Sequence, residues 1–144
     1  MNKKTTILTI LLALSFLAGH AWGQETLTVS VLESDSRFAV FSVQASAAKE
    51  GDVVDAALHG LFRTLLEDGV DGIFGGRPLM QIQNAKWKSN FLKEKNPPYM
   101  TYVKGIYSEG DPLKNAVGQY EGTVLVRVNI DFLFRQLKVY GIMK

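Results

Sequence analysis

The residues best suited to chemistry follow one another at intervals of four: Asp55, His59, Arg63 and Glu67. Positions i and i+4 share one face of an α-helix, so these side chains form a single stripe if the segment is helical. An aspartate and a histidine spaced in this way can bind one metal ion, but a site needs a third ligand and the sequence indicates none. We therefore interpret the stripe as an exposed row of alternating charges, and we predict no metal and no cofactor.

Other catalytic chemistries find little support. The chain has no cysteine, which excludes a thiol nucleophile, thiolate zinc ligands, disulfides and a lipoprotein anchor. A serine hydrolase needs a base and an oxyanion hole, and no G-x-S-x-G elbow is present. Paired carboxyls across a cleft would support a glycosidase, yet the acids fall mainly in one helix and in turns. We predict no catalytic residue and no enzyme, and keep a carboxylate-dependent hydrolase as an alternative.

Aromatic residues are the stronger functional lead. Trp87 and the tyrosines that follow it lie where core periodicity is weakest, with lysines among them. Exposed together, such rings can stack on a sugar or anchor a protein partner; otherwise they fill the edge of the core. The candidate contact residues, including two from the glycine-rich loop described next, are Phe74, Arg77, Trp87, Tyr99, Tyr102 and Tyr107.

The segment "DGVDGIFGGRPLM", residues 68–80, is rich in glycine. Loops that bind phosphate lead into a helix amino terminus, where free N–H groups meet the anion. This segment instead leaves the carboxyl end of a predicted helix, whose carbonyl groups repel an anion. We interpret Gly69 as the residue that ends the helix and the rest as a flexible connector, with Phe74 and Arg77 available to a partner.

The first 23 residues are typical of a signal peptide. Lys3 and Lys4 precede an apolar run of about a dozen residues, too short to span a bilayer. Small residues then predict cleavage after Gly23, which implies a periplasmic or secreted protein without a transmembrane anchor. Removing the two lysines takes the formal charge from +2 to 0, and a neutral chain is poorly suited to nucleic acid. Residues 24–144 are expected to form one domain.

Hydrophobic periodicity predicts an α+β fold. Alternating residues indicate a hairpin from Thr26 to Ala47, a strand from Tyr99 to Ser108 and another from Tyr120 to Ile130. Three- and four-residue spacing indicates a helix ending at Gly69, and further helices are expected near Trp87 and from Asp131 onwards. The order β-β-α-(α)-β-β-α favours a largely antiparallel, four-stranded sheet with helices on one face.

This pattern resembles a known family. The segments "FSVQASA", "DAALHGLFRTLLEDGVDG", "YVKGIYSE" and "YEGTVLVRVNIDFLFRQLKVYG" are similar to the amino-terminal domain of flagellar assembly protein T and to related small envelope lipoproteins of Gram-negative bacteria. The resemblance covers about residues 38–141. It implies a non-catalytic envelope domain that contacts other proteins, although the lipoprotein cysteine is absent and the first strand lies outside the pattern.

These observations predict an exported, non-catalytic cell-envelope domain that acts through protein–protein interaction. An envelope protein is the expected partner, and self-association into a homo-oligomer is left open. The polar side of the sheet, with Thr28, Ser42, Gln44 and Arg127, is either solvated or a docking surface for another domain or copy. The alternative function is a carbohydrate or small-ligand binding module that uses Trp87 and the neighbouring tyrosines.

Overall fold

The structure, a computed structural model, describes residues 26–144. The predicted signal peptide and its cleavage site at Gly23 lie outside these residues. Within residues 26–144, no helix has both the length and the apolar character needed to cross a membrane. The elements, in chain order, are β1 (Leu27–Ser34), β2 (Phe38–Ala47), α1 (Val53–Glu67), α2 (Ala85–Phe91), β3 (Val103–Ser108), β4 (Leu113–Lys114), β5 (Tyr120–Asn129) and α3 (Ile130–Val139).

The predicted α+β class is confirmed, and the antiparallel sheet has five strands instead of four. The strands lie in the order β1-β2-β5-β3, and the short β4 pairs with β5 beyond the end of β3. The additional strand, β4, comes from a segment that the sequence predicts to be a loop. The predicted start of the third strand at Tyr99 is also wrong, because Pro98–Tyr102 forms a 3₁₀ helix and β3 begins only at Val103.

The core lies between one face of the sheet and α1, which crosses β2 and β5 and reaches β1. The alternation predicted for β2 and β5 is confirmed, since every second side chain is buried against the helix. The helix contributes its predicted apolar stripe, and Phe62 and Leu66 widen it. The buried strand residues on this inner face are Ala39, Phe41, Val43, Ala45, Val124, Val126 and Val128.

The ends of α1 and α3 agree only in part with those predicted from the sequence. Gly69, with φ of 83°, ends α1 as predicted, and its N–H donates to the Thr64 carbonyl at 2.8 Å. Asp52 precedes α1 but forms no side-chain cap. The start of α3 is capped by Asn129, whose side-chain oxygen accepts from the Phe132 N–H at 3.0 Å, and the helix begins at Ile130, one residue before the predicted start at Asp131.

Gly60 marks a close contact between α1 and the edge strand β1. A Cβ built on Gly60 would lie 2.5 Å from Cδ1 of Leu27 on β1. The glycine therefore lets the edge strand approach the helix, at a cost of about 1 kcal/mol in helix propensity relative to alanine.

The other side of the sheet, called the outer face below, carries the side chains that alternate with the buried ones. On β5 these are Glu121, Thr123, Leu125 and Arg127. Exposed residues at their pairing partners include Gln44 and Tyr107. Antiparallel sheets commonly leave one face open in this way.

Candidate functional site

Three of the predicted contact residues lie in a packed aromatic cluster rather than on an open surface. Tyr99 stacks on Phe62 with ring centroids 4.6 Å apart, and Trp87 stacks on Phe91 at 4.7 Å. Tyr102 packs at 6.1 Å from Phe91. Tyr99 and Tyr102 are buried and Trp87 is half-buried. The rings come from α1, α2 and the 3₁₀ helix, and their packing joins these segments to the core.

The environment of the two buried tyrosines agrees with this core position. Burial raises the pKa of Tyr99 above its ordinary value of 10.0, and the charge of Asp55 adds to the effect. Burial likewise raises the pKa of Tyr102, with a smaller contribution from Tyr140. Removing charge from water disfavours the ionised phenolate, so both hydroxyls stay protonated at neutral pH.

Phe74 and Arg77 lie apart from that cluster. Phe74 is half-buried and packs edge-on against Phe134, with ring centroids 5.9 Å apart. The Arg77 guanidinium lies 4.1 Å from the centre of the Phe74 ring, and its Nε donates to the Phe74 carbonyl at 3.3 Å. Arg77 therefore remains exposed, while Phe74 contributes to the edge of the core.

The glycine-rich loop packs closely against α1 and does not behave as an open connector. Leu79 N–H donates to the Leu65 carbonyl at 2.9 Å, and Met80 N–H donates to that of Leu66 at 3.1 Å. These bonds satisfy carbonyls at the end of α1 that otherwise lack a partner. Val70 and Leu79 are buried in the core. The predicted helix stop is confirmed, and the flexible connector is replaced by a fixed return of the chain.

A shallow groove of about 1020 Å³ surrounds the amino-terminal half of α1. Tyr99 lines it, but Trp87, Tyr102 and Tyr107 do not, so the ring set expected for a sugar site is not assembled there. Asp52, Asp55 and Glu94 also line it, and all three are exposed to solvent rather than set in an apolar pocket.

The charged stripe of α1 faces solvent, as predicted. Glu67 forms an ion pair with Lys88 on α2, with 2.8 Å between Nζ and Oε1, instead of pairing along its own helix. His59 and Asp55 lie on the groove wall. Among the described residues, no three histidine, aspartate or glutamate side chains are placed to hold a metal ion.

The outer face carries exposed apolar side chains that the sequence analysis did not single out as a group. Tyr107 pairs with Leu125, and Leu113 pairs with Glu121. Tyr107 is 65% exposed and Leu113 is 75% exposed. With the half-buried Val40 and Leu125, they form what we call the outer patch. Of these four residues, the sequence predicts only Tyr107 as a contact residue, because Leu113 lies in a two-residue strand with no detectable period.

Charged side chains stand at the two ends of β5 on this face. Oε1 of Glu121 accepts from the Thr26 hydroxyl at 2.9 Å and from the Asn115 amide at 3.0 Å. The Asn115 bond and then the Thr26 bond lower the pKa of Glu121 below its ordinary value of 4.5. At the other end, the Arg127 guanidinium lies 4.1 Å from the centre of the Phe38 ring. Each charge is thus held in a defined position.

Comparisons of the chain with protein-family models, with curated proteins and with solved structures found no match. The resemblance to the amino-terminal domain of flagellar assembly protein T therefore stays a prediction.

Proposed function

We propose that the protein is an exported, non-catalytic domain of the bacterial cell envelope that works by binding protein through the outer face of its sheet. The observation that carries this proposal is the outer patch. Tyr107 and Leu113 are largely exposed on a face that α1 does not cover, while most of the other candidate aromatic residues are packed. Exposed apolar side chains that share one face with polar neighbours are typical of protein-binding surfaces.

The surroundings of the outer patch fit the same function. Tyrosine is enriched at protein interfaces because its ring buries apolar area and its hydroxyl still bonds water or a partner. Serine, threonine and glutamine side chains surround the patch, including Ser42, Gln44 and Thr123. Such a rim keeps the free protein soluble and supplies hydrogen bonds on association.

Site-specific photo-crosslinking tests this proposal. A photoreactive phenylalanine derivative at position 107 is expected to cross-link to protein in envelope fractions of the producing cells. The same derivative at Tyr140, which is 56% exposed on the helix side, is the matched control and is expected to give no specific product. Leu113→Glu should abolish the product at position 107, whereas Val139→Glu, at a side chain that is 74% exposed on α3, should leave it unchanged.

The second candidate function is small-ligand binding in the groove around α1. Its volume of about 1020 Å³ is large enough for a sugar-sized ligand. Its lining combines Tyr99, Asp55 and His59 with apolar side chains. A dose-dependent signal on a glycan array that Asp55→Ala removes, together with no protein product from position 107, would favour this function over the first.

A further inference from the structure

We propose that the partner bound by the outer face is a second copy of this chain, stacked face to face with its β5 strand antiparallel to the first. The inference rests on the proposed function, since it names the partner of the same face. Its basis is the arrangement of charge on β5, where Glu121 and Arg127 stand at opposite ends with uncharged Thr123 and Leu125 between them.

Symmetry decides what this arrangement means. Two copies of one face can pack isologously about an axis parallel to the strands or about an axis perpendicular to them within the interface plane. The first axis places Arg127 over Arg127 and Glu121 over Glu121. The second reverses the strand and places each Arg127 opposite a Glu121 of the other copy. Like charges destabilise an interface and opposite charges stabilise it, so the pattern selects the antiparallel dimer.

The side chains are suited to this contact. Stacked sheets lie about 10 Å apart, a gap that an arginine and a glutamate can bridge from opposite sides. Both hydrogen bonds to Glu121 end on Oε1, which leaves Oε2 to receive the arginine. Among residues 26–144, Arg127 forms no salt bridge within 4.0 Å, and its charge acts on the exposed Asp35 only at longer range.

Residues of this face on the β3 side of β5 also find acceptable neighbours in the antiparallel stack. Leu113 pairs with Glu121, and Gly105 pairs with Arg127. Both residues therefore lie on the same side of β5, one at each end of it. Each exposed leucine therefore meets the hollow above the glycine of the other copy. Glu109, which follows β3, faces Tyr107 rather than another acid.

The size of the contact predicts a weak dimer. Four strands about 4.8 Å apart and six residues of about 3.3 Å each give a footprint of roughly 400 Å² per copy. Specific stable complexes bury about 800 Å² per partner, so this surface falls in the transient class. We expect dimers only at high protein concentration, and fewer of them at high salt because the charge pairs lie at the rim.

Charge reversal followed by sedimentation equilibrium tests the dimer, using protein expressed from the complete sequence. Arg127→Glu and Glu121→Arg should each weaken association by up to about 30-fold, since exposed pairs contribute up to about 1 kcal/mol and each dimer contains two. The double variant should recover to within about threefold of the original. An equimolar mixture of the two single variants should form heterodimers more readily than either forms homodimers. Lys138→Glu on α3 is the control and should leave association unchanged.

Rescue keeps the test independent of folding. Glu121→Arg removes the bonds from Asn115 and Thr26, and a lower melting temperature is expected. The double variant carries the same loss, so its recovered association cannot come from fold stability. Association that is unaffected by both single reversals would overturn the proposed face.

Cross-linking between introduced cysteines tests the orientation of the two copies. The sequence has no native cysteine, so only the introduced thiols react. A Cβ added at Gly105 meets only Cβ of Arg127 at 3.7 Å, an ordinary contact, so Gly105→Cys is tolerated. A short bifunctional thiol reagent should join Gly105→Cys protein to Leu113→Cys protein and should join neither to itself. Self-joined Leu113→Cys protein would overturn the antiparallel arrangement. Monomer at all concentrations, with another envelope protein cross-linked at position 107, would overturn the dimer and leave the proposed function standing.

Discussion

Replacing Gly69 with alanine tests the fixed loop described above, and Gly72 provides a matched control in the same loop. Both glycines have left-handed backbones, with φ of 83° and 92°. They differ in what an added Cβ would meet. At Gly72 the nearest atoms belong to the Val31 side chain at 3.8 Å, whereas at Gly69 the carbonyl carbons of Arg77 and Gly76 lie 2.7 and 2.8 Å away.

The expected magnitudes follow from this difference. An L-residue in a left-handed conformation costs about 1–2 kcal/mol, and Gly72→Ala should lower the free energy of unfolding by about that much. Gly69→Ala incurs the same cost and also pushes its methyl group into backbone that cannot rotate away. Overpacking of this kind adds about 1–3 kcal/mol, for a total of about 2–5 kcal/mol.

Urea denaturation, followed by circular dichroism and by the fluorescence of Trp87, measures both free energies. Trp87 stacks on Phe91, so its emission reports on packing near α1. Equal slopes against urea for the three proteins would show that the denatured state is unchanged. If the two variants agree within about 0.5 kcal/mol, the loop does not pack against Gly69 as described, and the original interpretation as a flexible connector would be favoured.

Three further predictions concern the edge strand, the aromatic cluster and acid stability. Gly60→Ala should change the free energy of unfolding by less than about 1 kcal/mol, because better helix propensity is offset by displacement of Leu27. In a Leu27→Ala background it should stabilise by about 1 kcal/mol, and additivity of the two changes in thermal melts would contradict the contact. Phe62→Ala should destabilise by about 3–5 kcal/mol and Arg77→Ala by less than about 0.5 kcal/mol; similar urea midpoints would contradict the assigned burial. Folding lowers the pKa of Asp35, through the N–H groups of Phe38 and then Arg37, and that of Glu121. Their contribution to stability is therefore present above the unfolded values of 3.8 and 4.5 and is lost as the pH falls through the folded values. The urea midpoint should drop between about pH 5 and pH 3. If a Glu121→Gln variant shows the same dependence of the urea midpoint on pH, Glu121 does not contribute to this loss of stability.

The parts of the fold that were predictable are those with a local period. In β2 and β5 one face is buried by α1 and the other is open, so buried residues such as Phe41 and Val126 alternate with half-buried or exposed ones. The helix α1 has the same advantage, with a buried stripe at three- and four-residue spacing. The end of α1 at Gly69 was readable because only glycine adopts its backbone conformation without strain.

The secondary-structure predictions were wrong in segments that have no hydrophobic period. The segment from Pro98 to Tyr102 contains tyrosines suited to a strand, but they are buried by stacking in a 3₁₀ helix instead. A strand of two residues, such as Leu113–Lys114, is too short for alternation and depends on the neighbouring β5 for its backbone bonds. Asn129 and Asp131 are both residue types that cap helices, and Asn129 has the cap position because β5 continues directly into α3 at Ile130.

The candidate site divides in the same way. The residue types that bind partners were visible, yet Tyr99 and Tyr107 have equal chemistry and opposite exposure. Tyr99 is buried because α1 supplies Phe62 beside it, and Tyr107 is exposed because its strand turns it to the face without a helix. Sequence spacing cannot distinguish these outcomes, since both depend on which segment packs nearby.

The sequence by itself determined the α+β class, the buried faces of the long strands and the main helix, and the position where that helix ends. These features depend on residues that are close along the chain, and the sequence shows their spacing directly. Only the tertiary structure decided that the glycine loop packs against its helix, that Trp87, Tyr99 and Tyr102 join one cluster, and that Glu121 and Arg127 stand at opposite ends of an open face. The physical reason is that burial and pairing depend on the segments brought together by folding, which are distant along the chain.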